Sequence, residues 1–136
     1  MATIKLIEEH EASPEVREVY EDVKRHFDLD FVPNVIKAMA HNPQALKEQW
    51  EGLKVAEDRW GKETFYLLSL AVDVADGCDY CISFDTAMLK RLGWDDAKIE
   101  ELVGFVSLAG MYNTYVTGLQ LETDVTPDVI ERLKAA

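Results

Sequence analysis

Apolar positions in this chain recur at steps of three and four, and no segment sustains the two-residue alternation of a half-buried strand. Ser13-Pro14-Glu15 marks a helix start, with serine as N-cap, proline in the first helical position and an acidic first turn. Val16, Val19, Tyr20, Val23 and Phe27 follow at helical spacing and predict an amphipathic helix to about residue 27. Asp28 to Pro33 breaks it, and Pro33-Asn34 opens a short helix through Ala40 that carries Val35, Ile36 and Met39. Asn42-Pro43 repeats the cap-plus-proline signal. It predicts a helix over roughly 43–60, with Leu46, Trp50, Leu53 and Ala56 or Glu57 on its faces, ended by Gly61.

Lys62 to Asp76 is the most apolar segment, and a helix apolar almost all round is expected to be central and buried. Its polar residues form one stripe: Lys62, Tyr66, Ser69, Asp73 and Asp76 lie at successive steps of four, three, four and three. Gly77 stops that helix, and the next runs from about 79 to 92, ending at Gly93. Asp95-Asp96 caps a long segment over 96–121, with a bend expected near Gly104 or Gly110 and an inward line of Ile99, Leu102, Val103, Val106, Ala109 and Asn113. Ala109-Gly110 reads as a point of close helix approach. Thr126-Pro127-Asp128 starts a last short helix, about 127–134. The pattern as a whole predicts an all-α, single-domain helical bundle over 1–136, with an arm at 1–12 and a core from about 14 to 120.

The chemistry concentrates where two of these helices meet. Both cysteines of the chain lie in Gly77-Cys78-Asp79-Tyr80-Cys81, at the start of a helix. Unpaired N–H groups and the positive end of the helix dipole favour thiolate there. Cys78, Cys81 and Asp85 stand at i, i+3 and i+7, on nearly one side of the helix. Such a thiol pair can attack a weak S–S or O–O bond and finish as a disulfide. The bland alternative is a pair of small buried hydrophobes. A structural zinc wants four ligands, and only Cys78, Cys81 and Asp85 are local, since His10, His26 and His41 lie in other segments. No metal and no cofactor is therefore expected, and His41 reads as a surface residue at a helix junction.

Composition narrows the partners. At 136 residues, 48% of them hydrophobic, the chain can fill one core. The formal charge of -12, from 26 acidic and 14 basic residues, repels nucleic acid phosphates and anionic membranes. No run of about eighteen apolar residues offers a membrane span, and the N-terminal residues lack the apolar stretch of a signal peptide. The expected address is the cytoplasm, where a close cysteine pair signals redox work or metal rather than a structural staple. Trp50, Trp60, Trp94, Tyr112 and Tyr115 are many large aromatics for a small helical core, which points some of them to subunit contacts.

Taken together, Phe65-Tyr66-Leu67-Leu68-Ser69-Leu70-Ala71-Val72, the Gly77-Cys78-Asp79-Tyr80-Cys81 turn, Leu92-Gly93 and Met111-Tyr112-Asn113 resemble the alkylhydroperoxidase D-like, or carboxymuconolactone decarboxylase, superfamily. Phe31-Val32-Pro33-Asn34 and Ala40-His41-Asn42-Pro43 resemble the lead-in of its peroxidase-related branch, and the likeness spans roughly residues 14–120. The resemblance implies an all-helical subunit assembled as a trimer or hexamer. It implies thiol-dependent reduction of a small hydroperoxide or a disulfide, with a thiol or disulfide electron donor. Cys81 would be the attacking thiol and Cys78 its resolving partner. In the family a histidine four residues after the second cysteine and a glutamate twelve before the first relay the proton; here those positions hold Asp85 and Tyr66, and Glu63 lies one turn from the second.

That double change sets up the competing readings. An ionised Asp85 opposes thiolate formation at Cys81, whereas a buried, protonated Asp85 can donate a proton to a leaving oxygen, as Tyr66 can. The alternative is a non-catalytic or weakly active helical assembly with a lost relay. Lactone decarboxylation rests on the family name alone.

Overall fold

The computed structural model describes residues 2–135, and the described chain is helical with no strand. The helices are α1 (Pro14–Phe27), α2 (Asn34–Met39), α3 (Pro43–Trp60), α4 (Lys62–Asp76), α5 (Asp79–Arg91), α6 (Asp96–Gly118) and α7 (Pro127–Ala135). They gather into two compact units, one running to Lys62 and the other beginning at Glu63.

In the first unit the sequence signals translate directly into caps. Ser13 Oγ accepts from the Val16 N–H at 3.4 Å, and Asn42 Oδ1 accepts from the Ala45 N–H at 3.1 Å. The predicted apolar face of α1 is the observed one: Val16, Val19, Tyr20, Val23 and Phe27 are all buried, as are Leu46 and Trp50 of α3. The arm ahead of α1 is tied down by polar contacts that its sequence does not announce. The Tyr20 hydroxyl donates to the Ile7 carbonyl at 2.8 Å, Lys37 pairs with Glu8 at 2.7 Å, and Lys24 pairs with Glu9 at 2.8 Å. Glu57 is fully buried and meets His26 at 2.9 Å, with the His26 ring edge-on to Phe27 and Trp50. His41 is exposed, its Nε2 2.7 Å from the Lys5 carbonyl.

One charged knot ties α1 to α3. Trp50 Nε1 and Lys54 Nζ each donate to Asp22 Oδ2 at 2.7 Å, and Arg25 reaches Oδ1 at 3.2 Å. Lys54 first, then Trp50, hold the Asp22 carboxyl down at about 2, from 3.8. A depressed carboxylate contributes stability above its unfolded value, and that stability drains as pH falls through the folded one. Asp22→Asn is therefore expected to cost about 1 kcal/mol at pH 7, a figure reduced for the partial exposure of the site. It should also remove part of the acid-induced loss between roughly pH 4 and pH 2. Urea unfolding at pH 7 and pH 3 measures both, and equal losses at the two pH values would refute the assignment.

The second unit departs from expectation in two ways. Helix α4 is not buried all round: Tyr66 and Leu70 are buried, but Leu68 and Val72 are exposed. The polar stripe lies toward the interior, since Tyr66 is 1% exposed and Asp73 is half-buried. Apolarity measured along a helix cannot say which flank meets the chain's own core. Helix α6 runs unbroken from Asp96 to Gly118. Ile99, Leu102 and Val106 turn inward as predicted, whereas Val103, Ala109 and Asn113 are exposed. A Cβ placed on Gly110 would meet nothing within 4 Å, so no close helix approach occurs there among the described residues of the second unit.

Candidate active site

The site is built on the turn between α4 and α5. Gly77 takes the left-handed conformation (φ 72°), which a residue with a Cβ enters at a cost. That turn brings the Cys78 N–H onto the Asp73 carbonyl at 3.0 Å, the closing bond of a helix C-terminus. Cys78 also opens the following helix: it is the N-cap of α5, and its Sγ accepts from the Cys81 N–H at 3.4 Å. One residue thus ends one helix and starts the next, which leaves the turn little freedom.

Cys78 and Cys81 are joined as a disulfide, with their Cα atoms 5.3 Å apart, and both are half-buried. Asp85 lies one turn beyond Cys81 on the same side of α5 and is only 6% exposed. It does not stand alone. Burial first, and then a hydrogen bond and charge repulsion from Asp73, push the Asp85 carboxyl up to about 8. Two carboxylates cannot share a hydrogen bond unless one is protonated, so Asp85 carries the proton and donates it to Asp73. The second Asp73 oxygen, Oδ2, is buried with no hydrogen-bond partner.

Tyr66 is buried in the same unit, its ring edge-on to Phe65 at 5.2 Å and to Phe84, the neighbour of Asp85 in sequence, at 6.5 Å. Glu63, the other carboxylate at this end of α4, is engaged elsewhere: it accepts from Trp94 Nε1 at 2.7 Å. Asp73 is the residue that reasoning from sequence missed. Its signal was present in the stripe Tyr66–Ser69–Asp73, but nothing in that stripe indicated which of its members meets Asp85. Among the described residues no cluster of three or more His, Cys, Asp and Glu side chains is arranged to hold a metal ion.

Helices around a cysteine turn of this form define a known class. The chain belongs to the carboxymuconolactone decarboxylase family, whose model matches residues 43–121. Its fold is that of the alkylhydroperoxidase D-like superfamily: the crystal structure of the alkylhydroperoxidase AhpD core from Rhodospirillum rubrum aligns with a TM-score of 0.78 and 32% identity, covering 91% of this chain and 95% of that one. An (R)-2-haloacid dehalogenase of Pseudomonas putida is 32% identical over 107 residues. That match takes in 76% of this chain but 35% of the dehalogenase, so the chain spans about a third of that relative's length. No helix among the described residues is long and apolar enough to cross a membrane.

Proposed function

We propose that the protein is a thiol oxidoreductase that reduces a small hydroperoxide, or a disulfide, with Cys81 as nucleophile and Cys78 as resolving thiol. The observation that carries this reading is the bonded cysteine pair at the start of α5 with a buried carboxyl one turn beyond it, which burial and Asp73 push up to about 8. In the reduced protein the Cys81 thiolate attacks the outer oxygen of ROOH and the O–O bond breaks. Cys81 becomes a sulfenic acid, and the departing alkoxide takes the proton of Asp85 to leave as ROH. Cys78 then attacks the Cys81 sulfur and expels water, forming the disulfide. Two thiols and one ROOH give one disulfide, ROH and water. A cytoplasmic dithiol donor of the kind that the family resemblance implies returns the pair to thiols by exchange and is itself oxidised to a disulfide. Tyr66 completes the buried wall of the site as a hydrogen-bond donor.

The carboxyl need not be a histidine for this sequence. A buried carboxyl brought to about 8 is close to the ordinary thiol value of about 8.5, so a proton passes between them at little cost. A free-thiol count on reduced protein, timed after adding cumene hydroperoxide, tests the reading. Rapid loss of two thiols per chain is expected; thiols that persist for hours would put the non-catalytic assembly ahead.

The kinship with the haloacid dehalogenase and the Asp73–Asp85 pair support a second reading, displacement of halide from a 2-haloacid. Halide release from (R)-2-chloropropionate by protein with alkylated cysteines would favour it.

Assembly with further copies of this chain belongs to the same proposal. Phe105, Leu108, Tyr112 and Tyr115 of α6 and its C-cap Leu119 recur at steps of three and four, and each is more than half exposed. A contiguous apolar stripe of this kind marks an interaction surface. Introducing Phe105→Glu together with Tyr112→Glu is expected to convert a trimer or hexamer to monomer in light scattering. A wild-type protein that already runs as a monomer would refute the assembly.

A further inference from the structure

We infer that Asp73 is the positioning residue of the site: its carboxylate holds the proton on Asp85, on the same side of α5 as Cys81, and so keeps the acid in place for the oxygen that leaves. The inference rests on the thiol oxidoreductase reading above and assigns a role to a residue that lies outside the cysteine motif.

Three features of the geometry support it. Asp73 grips the turn through its main chain, since its carbonyl accepts the Cys78 N–H at 3.0 Å. Its side chain is the partner of Asp85, and that partnership requires a proton between the two carboxyls. Its remaining oxygen, Oδ2, is buried with no hydrogen-bond partner among the described residues. One residue therefore fixes the backbone of one cysteine and the protonation of the acid near the other. The charge facing Asp85 from α4 is Asp73; along α5 the same side carries Cys81 and the buried Leu89, and Tyr66 is the buried phenol of α4. None of these supplies a positive charge that would ionise Asp85.

The consequence is a division of labour in the oxidative half-reaction. Asp85 gives its proton to the alkoxide as the O–O bond breaks. The pair is then left doubly ionised, a state that repulsion and burial disfavour, and it recovers one proton from the Cys78 thiol as that sulfur attacks. The hydroxyl displaced from the sulfenic acid takes this proton in turn as water leaves, and the carboxyl pair regains its own proton from solvent in place of the one that Cys81 released on forming its thiolate. The balance therefore stays that of two thiols, one ROOH, one disulfide, ROH and water.

The test is Asp73→Asn, which keeps shape and hydrogen bonding but replaces the anion with an amide able to donate to an ionised Asp85. Two readouts are needed. The first is the titration of the Asp85 carboxyl carbon by NMR in oxidised protein labelled at aspartate, which requires no turnover. The midpoint is expected to fall below the wild-type value of about 8 in the variant while staying above the ordinary carboxylate range, because burial, the larger cause, remains. The second is the rate of thiol loss with cumene hydroperoxide across pH 5–9.5. At pH 7 the variant is expected to lose on the order of 10-fold, because a smaller fraction of its molecules then holds the acid protonated. Asp73→Glu, which restores an anion, should recover the high midpoint and much of the rate, and it guards against a variant that merely misfolds. An Asp85 midpoint that is the same in wild type and Asp73→Asn, or an unchanged pH–rate profile, overturns the inference. Wild-type thiols that survive hydroperoxide overturn the oxidoreductase reading instead, and the carboxyl titration still decides where Asp73 puts the proton.

Discussion

Cys81→Ser is expected to reduce hydroperoxide consumption to background, a loss on the order of 10³-fold or more, because Cys81 is the thiol that attacks the peroxide and Cys78 acts only on the intermediate formed there. Cys78→Ser should behave differently. Its Cys81 can still attack, so one equivalent of peroxide is consumed and the reaction halts at a sulfenic acid, trappable with dimedone and visible as a mass increase. The contrast is what assigns the roles, since both variants lack the disulfide seen between these residues. Equal loss in both, with no trapped adduct in Cys78→Ser, would contradict the assignment. So would reversed behaviour, and the N-cap position of Cys78, whose sulfur accepts the Cys81 N–H, makes that reversal a meaningful alternative to measure.

Asp85→His is the second large effect, and it acts on both charge and stability. Reasoning from sequence, an ionised Asp85 stands against the Cys81 thiolate. In the structure Asp85 is protonated near neutral pH, so that opposition develops only as pH rises through about 8. An imidazolium at this position would pair with Asp73 and place positive charge one turn from Cys81. Opposite charge at such a range lowers a thiol by about one to three units. The thiolate fraction at pH 7 should therefore rise roughly ten-fold. Absorbance at 240 nm in reduced protein carrying Cys78→Ser isolates the Cys81 titration, and an unmoved midpoint would refute this account.

The stability change has a defined sign. Asp85 has a folded value raised above its unfolded one, so the native state retains a proton that the unfolded chain has lost between about pH 4 and pH 8. Stability attributable to this group is greatest below pH 4 and declines as pH rises through that window. Asp85→Asn, which does not titrate, removes the decline, and denaturant midpoints at pH 5 and pH 8.5 should differ less in that variant than in wild type.

Much of the helical framework was legible because caps and stops are local. Ser13-Pro14, Asn42-Pro43, Gly77 and Asp95 act within a few residues of themselves, and each marks a helix end in the structure close to where the pattern put it. The site was legible in part for the same reason: Cys78, Cys81 and Asp85 share one helix, and helical geometry alone places them on one side of it. Tyr66 was reached through family resemblance, and in the structure it is buried. Asp73 was not reached. Its partner lies on another helix, and the turn that brings the two carboxyls together depends on where α4 and α5 pack.

The sequence by itself determined the class of the protein: an all-α chain of the carboxymuconolactone decarboxylase family with a cysteine pair at a helix start. Helix boundaries, the cysteine spacing and the family match are properties of neighbouring residues along one chain. Tertiary structure alone decided which flank of α4 is interior, that α6 leaves an aromatic stripe exposed, and that the Asp85 carboxyl is pushed up to about 8. The physical reason is common to all three. Burial and the protonation of a carboxyl depend on groups close in space, and for Asp85 that means the removal of water and the nearness of Asp73, neither of which a one-dimensional pattern records.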